Sequence, residues 1–270
     1  MAWGRAVVAG LDFYKQALEF QKKYAAGRNI DNCIQTNGLL LNDEWCRFLK
    51  ENNFLVGISI DGPEHIHDKY RLERGGRAGS FARVMYAVGL LQKYDIPFNT
   101  LSVVSDYSVR FPEEIYGFFK IIGSRYMQFS PIVERWGIRP DGLELLSIAD
   151  YSNLEVTSWS VPALAYGEFY CRIFDEWIKN DVGSYFVQLF DATLAGMVGE
   201  QPGVCLYARS CGHAAAMEAN GDVYSCDHFV FPEYKLGNLK KDRLVSMMLS
   251  KDQMTFGTDK YDTLPTQCRE

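Results

Sequence analysis

Short apolar runs alternate with amphipathic stretches through residues 29–134, and this alternation constrains the fold more than any other feature of the chain. The apolar runs predict strands at four places, near residues 30–36, 55–60, 98–104 and 126–133. The stretches between them carry apolar residues at helical spacing, at 42–53, 80–94 and 111–123. Apolar strands separated by amphipathic helices are typical of a parallel sheet covered by helices. We therefore predict an α/β fold with parallel strands.

Polar residues follow three of these predicted strands. They are Thr36-Asn37, Ser59 with Asp61, and Gln128 with Ser130. In parallel α/β sheets, ligands bind beyond the carboxyl ends of the strands. Because every strand must end in something polar, a single polar strand end is weak evidence for a binding site. Three together favour a binding site at this edge of the sheet.

The chain changes character near residue 200. Residues 166–180 and 188–199 have strong helical patterns, whereas the chain beyond them is rich in glycine and cysteine with short strands and turns. We predict two domains, one over residues 1–200 and one over residues 201–270.

The seven cysteines fall into two groups. Cys33, Cys46 and Cys171 lie in predicted strands and helices, and free cysteine is among the most buried residue types, so core packing is favoured for these three. The other four lie outside any good helical pattern, at Cys205, Cys211, Cys226 and Cys268.

Three explanations compete for this second group: disulfides, ordinary buried thiols, or ligands of a metal centre. An odd number of cysteines and the expected cytoplasmic location make disulfides the poorer choice. Residues 218–226 predict a hairpin around Asn220-Gly221, which would return Cys226 toward Cys205 and Cys211. The spacing favours a metal or cluster and leaves zinc and iron–sulfur open. Asp227, directly after Cys226, is by itself more typical of a turn or cap residue.

Composition excludes several functions. The net charge is −6 with a pI of about 5.4, and no basic stripe is present, which argues against a nucleic-acid partner. No run approaches the roughly 18 apolar residues of a membrane span. The N-terminal apolar run stops at Asp12, too early for a signal peptide, so we expect a cytoplasmic protein.

The order of three motifs resembles a known family. "IQTNG" is followed by "VGISIDGP" with His67 and Arg71 beyond it, and then by Cys-x5-Cys-x14-Cys-Asp. Together they resemble the anaerobic sulfatase-maturating enzymes, which are radical S-adenosylmethionine (SAM) proteins with a SPASM-type C-terminal domain. The resemblance implies a partial (β/α)6 TIM-like radical SAM barrel lacking its first strands, followed by a truncated Cys-rich auxiliary-cluster domain.

The resemblance also implies roles for individual residues. Those matching positions that bind SAM are Ser59, Arg71 and Val133. Those matching ligands of the first auxiliary [4Fe–4S] cluster are Cys205, Cys211 and Cys226, and Cys268 matches a ligand of the second. Asp227 matches the general base.

In that family, a radical generated from SAM takes a hydrogen from Cβ of a cysteine or serine in an unfolded sulfatase polypeptide, and the oxidised product becomes formylglycine. A flavodoxin- or ferredoxin-type reductant is the implied electron source. Proton and electron must leave one small region, which suits a carboxylate beside a cluster ligand.

The sequence departs from the family in three respects. No Cys-x3-Cys-x2-Cys occurs among its 270 residues, and "WGRAVVAG" stands where Gly-Gly-Glu-Pro is expected. The remaining ligands of both auxiliary clusters are expected beyond "QCRE", where the sequence stops. We therefore expect an incomplete maturase that is inactive alone. The alternatives are another SPASM-type radical SAM peptide maturase, and a non-catalytic metal- or peptide-binding remnant.

Overall fold

The computed structural model describes residues 6–73, 75–76, 78–135, 149, 153–211 and 214–269. The chain divides into two compact units. The first contains Met1–Val133 and Ser158–Phe190, and the second contains Glu134–Thr157 and Asp191–Glu270. The sequence-based domain limits, 1–200 and 201–270, stay a prediction.

The first unit is built on a five-stranded sheet whose strands follow one another in chain order, each parallel to the next. The strands are β1 (Cys33–Thr36), β2 (Leu55–Ser59), β3 (Phe98–Val104), β4 (Tyr126–Pro131) and β5 (Phe186–Val187). The four strands expected from the sequence are thus confirmed, and so is their parallel pairing. The sequence did not predict β5, because two residues are too few to show an alternating pattern.

Helices alternate with the strands, and those at 43–51, 81–93, 112–121, 163–180 and 188–197 lie where the sequence predicts helices, whereas those at 11–24 and 64–67 were not predicted. In chain order they are α1 (Leu11–Tyr24), α2 (Asp43–Glu51), α3 (Glu64–His67), α4 (Phe81–Lys93), α5 (Pro112–Ile121), α6 (Ala163–Asn180) and α7 (Gln188–Met197). Local signals set their starts: the Asn42 side chain accepts a hydrogen bond from the Trp45 N–H at the start of α2, and Pro112 opens α5. Among the described helices, none combines the length and the hydropathy that crossing a bilayer requires.

The core of the first unit lies between the sheet and its helices. Its fully buried side chains include Leu49, Val56, Ile58, Leu91, Ile115, Phe119 and Ile173. Cys46 belongs to this core as expected, and burial raises the pKa of its thiol to about 11. Core packing was wrong for Cys33 and Cys171, which are exposed. Cys33 opens the edge strand β1, and Cys171 lies on α6 away from the buried side chains of Phe169 and Ile173.

The described residues of the second unit beyond α7 form a three-stranded antiparallel sheet followed by two helices. They are β6 (Ala216–Met217), β7 (Asp222–Tyr224), β8 (Lys235–Asn238), α8 (Leu244–Met248) and α9 (Lys251–Asp262). The predicted hairpin is confirmed, with Gly221 in the left-handed region at φ +92°. Asp222 of β7 accepts hydrogen bonds from Lys235 and Asn238 of β8, and these bonds tie the two strands together. They also lower the pKa of Asp222 to about 2.

Candidate functional site

The carboxyl ends of β1 and β2 bring Gln35 and Ser59 into contact. Gln35 Nε2 donates a hydrogen bond of 2.9 Å to Ser59 Oγ. Gly57, which pairs with Gln35 in the sheet, makes this possible, because a Cβ at Gly57 would lie 2.2 Å from Gln35 Oε1. Ser59 accepts in this contact, so its hydroxyl proton can be donated to a ligand.

An ion pair lies just beyond the end of β2. The Asp61 carboxylate accepts from Nε of Arg71 and, at 2.9 Å, from its Nη2. Asp61 Oδ1 also accepts from the Val103 N–H at 2.8 Å. The Asp61 side chain is only 10% exposed and that of Arg71 is 27% exposed, so this is a largely buried, bidentate pair. Asp61 therefore joins the ends of β2 and β3 to the segment that carries Arg71.

A cavity of about 390 Å³ lies beside this ion pair. It is lined by Asp61, Ile66, Tyr70, Val103, Ser105, Ser108, Ile132 and Trp159. Apolar side chains form most of its wall, and the Asp61 carboxylate and two serine hydroxyls supply polar groups. Val133 follows the lining residue Ile132 directly and is half-exposed. This mixture suits a ligand with a flat apolar part and a polar part.

One face of α9 is hydrogen-bonded to the segments at Cys205, Cys211 and Cys226. Gln253 Nε2 donates to the carbonyl of Ser225, next to Cys226, at 3.4 Å. The carbonyl of Gly257 accepts from the Cys211 N–H at 3.0 Å, and Lys260 Nζ donates to the carbonyl of Cys205. These three helix positions are four and then three residues apart, so they share one face. At a rise of about 1.5 Å per residue, the three contacts span roughly 10 Å.

The Cys226 thiol is in contact with its two neighbours in the chain. It donates to Asp227 Oδ1 at 3.4 Å and accepts from the His228 N–H at 3.5 Å. One ligand atom each of Cys226, Asp227 and His228 lie within 4.8 Å of one another. Burial raises the pKa of the Cys226 thiol, and charges on Asp227 and Cys205 raise it further. A bound cation would stabilise the thiolate form of Cys226, which burial and these charges disfavour.

The donor set fits a metal centre rather than disulfides. All seven cysteines, each of them among the described residues, have free thiols. Cys205, Cys211 and Cys226 lie in or next to segments whose main chains are hydrogen-bonded along α9, and of the three cysteines only Cys226 belongs to a close group of possible ligands among the described residues, with Asp227 and His228. Cys268 is exposed in the turn Thr266–Cys268. Its role as a ligand, like the convergence of the other three sulfurs on one cluster, stays a prediction.

The predicted residues thus fall into two groups. Ser59, Arg71 and Val133 belong to the first unit, and Asp227 belongs to the second with the four candidate ligands. The expectation that Asp227 faces Ser59 and Arg71 stays a prediction. Sequence reasoning did not find Gln35 as a partner of Ser59, because contacts between neighbouring strands leave no periodic signal in the chain.

Comparisons with known proteins connect both groups to described families. Residues 7–116 match the model of the Radical SAM superfamily. Residues 209–270 match the SPASM model, an iron-sulfur cluster-binding domain. The two domains imply SAM and [4Fe–4S] clusters as cofactors, which favours iron–sulfur over zinc at the cysteines.

Curated relatives are similar over nearly the whole chain. A serine-type anaerobic sulfatase-maturating enzyme of Bacteroides thetaiotaomicron is 55% identical over 267 residues, which cover 99% of this chain and 64% of the relative. A cysteine-type enzyme of Clostridium novyi is 36% identical, covering 88% of this chain and 60% of the relative. The chain therefore spans less than two thirds of either relative.

A solved structure has the same fold. It is described as native anSMEcpe with bound AdoMet and Cp18Cys peptide, and it matches with a TM-score of 0.84 and 26% sequence identity. The match covers 98% of this chain and 70% of the other. By sequence and by fold, the chain is similar to the anaerobic sulfatase-maturating enzymes, and it matches the models of the Radical SAM superfamily and of the SPASM domain.

Proposed function

We propose that the chain acts in a maturase that oxidises a cysteine or serine of an unfolded sulfatase polypeptide to formylglycine, in the cytoplasm. The observation that carries this proposal is the contact between Asp227 Oδ1 and the Cys226 thiol, at 3.4 Å. It joins a proton acceptor to a candidate cluster ligand. The printed names of the relatives, which include both serine-type and cysteine-type enzymes, support the reaction class and leave both target residues in the proposal.

Oxidation of an alcohol or thiol side chain to an aldehyde-level product removes two hydrogens, as one hydrogen atom, one proton and one electron. When bound, SAM and the [4Fe–4S] clusters supply the hydrogen-atom acceptor and the path for the electron. Asp227 accepts the proton from the substrate oxygen or sulfur. Its side chain is about half exposed, at 48%, so a peptide can reach it. A carboxylate in hydrogen-bonding reach of the reacting group is what general base catalysis requires.

The edge of the sheet in the first unit is the proposed binding site for SAM. The hydroxyl of Ser59, the guanidinium of Arg71 and the backbone of Val133 are the groups assigned to it. A cavity of about 390 Å³ has the size and the mixed lining of a site for a nucleoside. None of the three assigned residues lines this cavity itself, but Arg71 pairs with its lining residue Asp61 and Val133 follows its lining residue Ile132, which supports the assignment.

The second unit is the proposed cluster-binding part. Cys205, Cys211 and Cys226 are assigned to one [4Fe–4S] cluster and Cys268 to another. A flavodoxin- or ferredoxin-type protein is the proposed reductant. The role of α9 is to keep the three loops of the first cluster together.

The test is the variant Asp227→Asn, measured in a reconstituted maturase that contains this chain and turns over a sulfatase peptide. Loss of a general base predicts a fall in formylglycine formation on the order of 10²-fold or more, with SAM cleavage retained. Asp262→Asn is the matched control, because Asp262 is an exposed carboxylate at the end of α9. Full formylglycine formation by Asp227→Asn would remove this residue from the mechanism. A cross-linked peptide as the only product would support the other class of SPASM maturase.

A further inference from the structure

His67 is buried, and both of its ring nitrogens have hydrogen-bond partners. Its side chain is 0% exposed. Nδ1 accepts a hydrogen bond of 3.2 Å from the Asp61 N–H, and Nε2 lies 3.0 Å from Ser80 Oγ. Because a nitrogen that accepts an N–H carries no proton of its own, the ring hydrogen of the neutral imidazole is on Nε2. His67 therefore donates to Ser80.

Ser80 continues this chain of hydrogen bonds to Arg71. Its Oγ donates to the Arg71 carbonyl at 2.9 Å, and its N–H donates to the same carbonyl at 3.0 Å. The hydrogen bonds thus run in one direction, from the Asp61 N–H through His67 and Ser80 to the Arg71 carbonyl. A chain of this kind, fully satisfied and buried, holds its members in one arrangement.

The segment between Arg71 and Ser80 is closed tightly at its base. Leu72 and Gly79 pair as an antiparallel bridge. The carboxylate of Asp68 accepts from the Phe81 N–H at 2.9 Å, and a Cβ at Gly79 would lie 1.9 Å from that carboxylate. Only glycine fits at this close approach, so the base of the segment has little freedom to shift.

Asp61 and Arg71 are consequently joined twice. Their side chains form the bidentate ion pair, and their main chains are joined through His67 and Ser80. An arginine side chain has considerable rotamer freedom, and fixing it before a ligand arrives lowers the entropy lost on binding. The connection through His67 and Ser80 restricts the position of the Arg71 main chain, from which the side chain extends.

We propose that His67 and Ser80 are positioning residues, which hold the main chain of Arg71 and Asp61 so that the guanidinium is preorganised to bind SAM. The identity of the ligand rests on the function proposed above. The hydrogen-bonded connection itself does not. Neither residue touches the cofactor in this proposal, and each acts through Arg71.

The test uses variants that remove one link at a time. Ser80→Ala removes the hydroxyl, and Ser80→Thr restores it. His67→Asn keeps an acceptor near the place of Nδ1, whereas His67→Gln keeps a donor near the place of Nε2. His65→Asn is the matched control, since His65 is on the same short helix but its side chain is 48% exposed.

Two quantities are measured on the 270-residue chain: the hydrogen exchange of the Arg71 Nε–H by ¹⁵N NMR, and the affinity for SAM by equilibrium dialysis. In Ser80→Ala, one buried hydrogen bond is lost. We therefore expect the exchange of the Arg71 Nε–H to be faster, and the affinity for SAM to be weaker, by about fivefold to tenfold. We expect Ser80→Thr to recover both quantities and His65→Asn to change neither. His67→Asn and His67→Gln should each lie between wild type and Ser80→Ala, which a general loss of folding would not produce.

The outcomes separate this inference from the proposed function. Unchanged exchange and unchanged affinity in Ser80→Ala and in both His67 variants would overturn the positioning role. Faster exchange in a chain that does not bind SAM even as wild type would support the connection to Arg71 and refute SAM as its ligand. Weaker SAM binding in Ser80→Ala without recovery in Ser80→Thr would also overturn the inference, because the hydroxyl would then not be the group that matters.

Discussion

Protonation of His67 is expected to make the stability of the first unit depend strongly on pH. Burial lowers the pKa of His67 to about 4 from its ordinary value of 6.5. The charged groups that face the ring act in both directions, since Asp61 and Asp68 raise this pKa and Arg71 lowers it. Protonation would also place a proton on Nδ1, which must accept from the Asp61 N–H.

The sign and the size follow from these two pKa values. Between pH 6.5 and pH 4 the unfolded chain binds a proton at His67 that the folded chain does not, so the free energy of unfolding decreases as the pH falls through this window. Above pH 6.5 the contribution of the neutral ring is constant. Each pKa unit corresponds to about 1.4 kcal/mol, and the difference of the two values therefore predicts a loss of about 3 kcal/mol.

The assay is urea unfolding between pH 4.5 and pH 7.5, followed by the fluorescence of Trp45 and Trp177, which are buried in the first unit. Carboxylates titrate in the same window, so the comparison is between variants and not between pH values alone. His67→Gln removes the titrating group and should have a flatter pH profile than wild type, whatever its stability at pH 7. His65→Gln should keep the profile of the wild type. A profile for His67→Gln as steep as that of the wild type would refute the reasoning, because His67 would then not be the group that binds the proton.

Three further predictions concern other parts of the chain. Gly257→Ala should lower the iron bound after anaerobic reconstitution several-fold, because its Cβ would lie 2.6 Å from the Cys211 carbonyl, whereas Gly167→Ala, in an open helical position, should leave it unchanged. Asp181→Ala should lower the free energy of unfolding by about 3 kcal/mol in urea titrations, because it leaves the buried Tyr116 hydroxyl without its 2.7 Å acceptor. The 270-residue chain should form no 5′-deoxyadenosine with SAM and a strong reductant, measured by chromatography, because it contains no Cys-x3-Cys-x2-Cys.

The parallel sheet could be predicted because most of its strands have a recognisable pattern of apolar residues and polar ends in the sequence. Residues 98–104 alternate between buried and half-buried positions, and neighbouring strands end in Ser59 and Thr36. The same reasoning could not find Phe186–Val187, whose place in the sheet depends on pairing with Tyr126–Met127 far away in the chain. Nor could it show that Cys33 faces outward, since a residue at the start of an edge strand has no periodic environment.

The chemistry of the candidate site rests on the family resemblance and stays a prediction, whereas its contacts come from the structure. The resemblance implies that Ser59 and Arg71 serve one site, but the bidentate pairing of Arg71 with Asp61 depends on a fold of the intervening chain that no spacing rule gives. The sequence shows His67 only as part of a motif, and its two buried hydrogen bonds are what support the proposed positioning role. In the second unit, the spacing of the cysteines predicts a metal site. Nothing in the sequence distinguishes the three positions of α9 that are hydrogen-bonded to the cysteine segments.

That face of α9 has a thermodynamic consequence. Gln253, Gly257 and Lys260 join one helix to three separate loops. Metal ligation that draws the loops together also fixes the helix, so the binding free energy becomes part of the folding free energy of the second unit. Cluster loss and partial unfolding are then one linked equilibrium, in which a chelator acts as a denaturant for this unit and a bound cluster acts as its stabilising ligand.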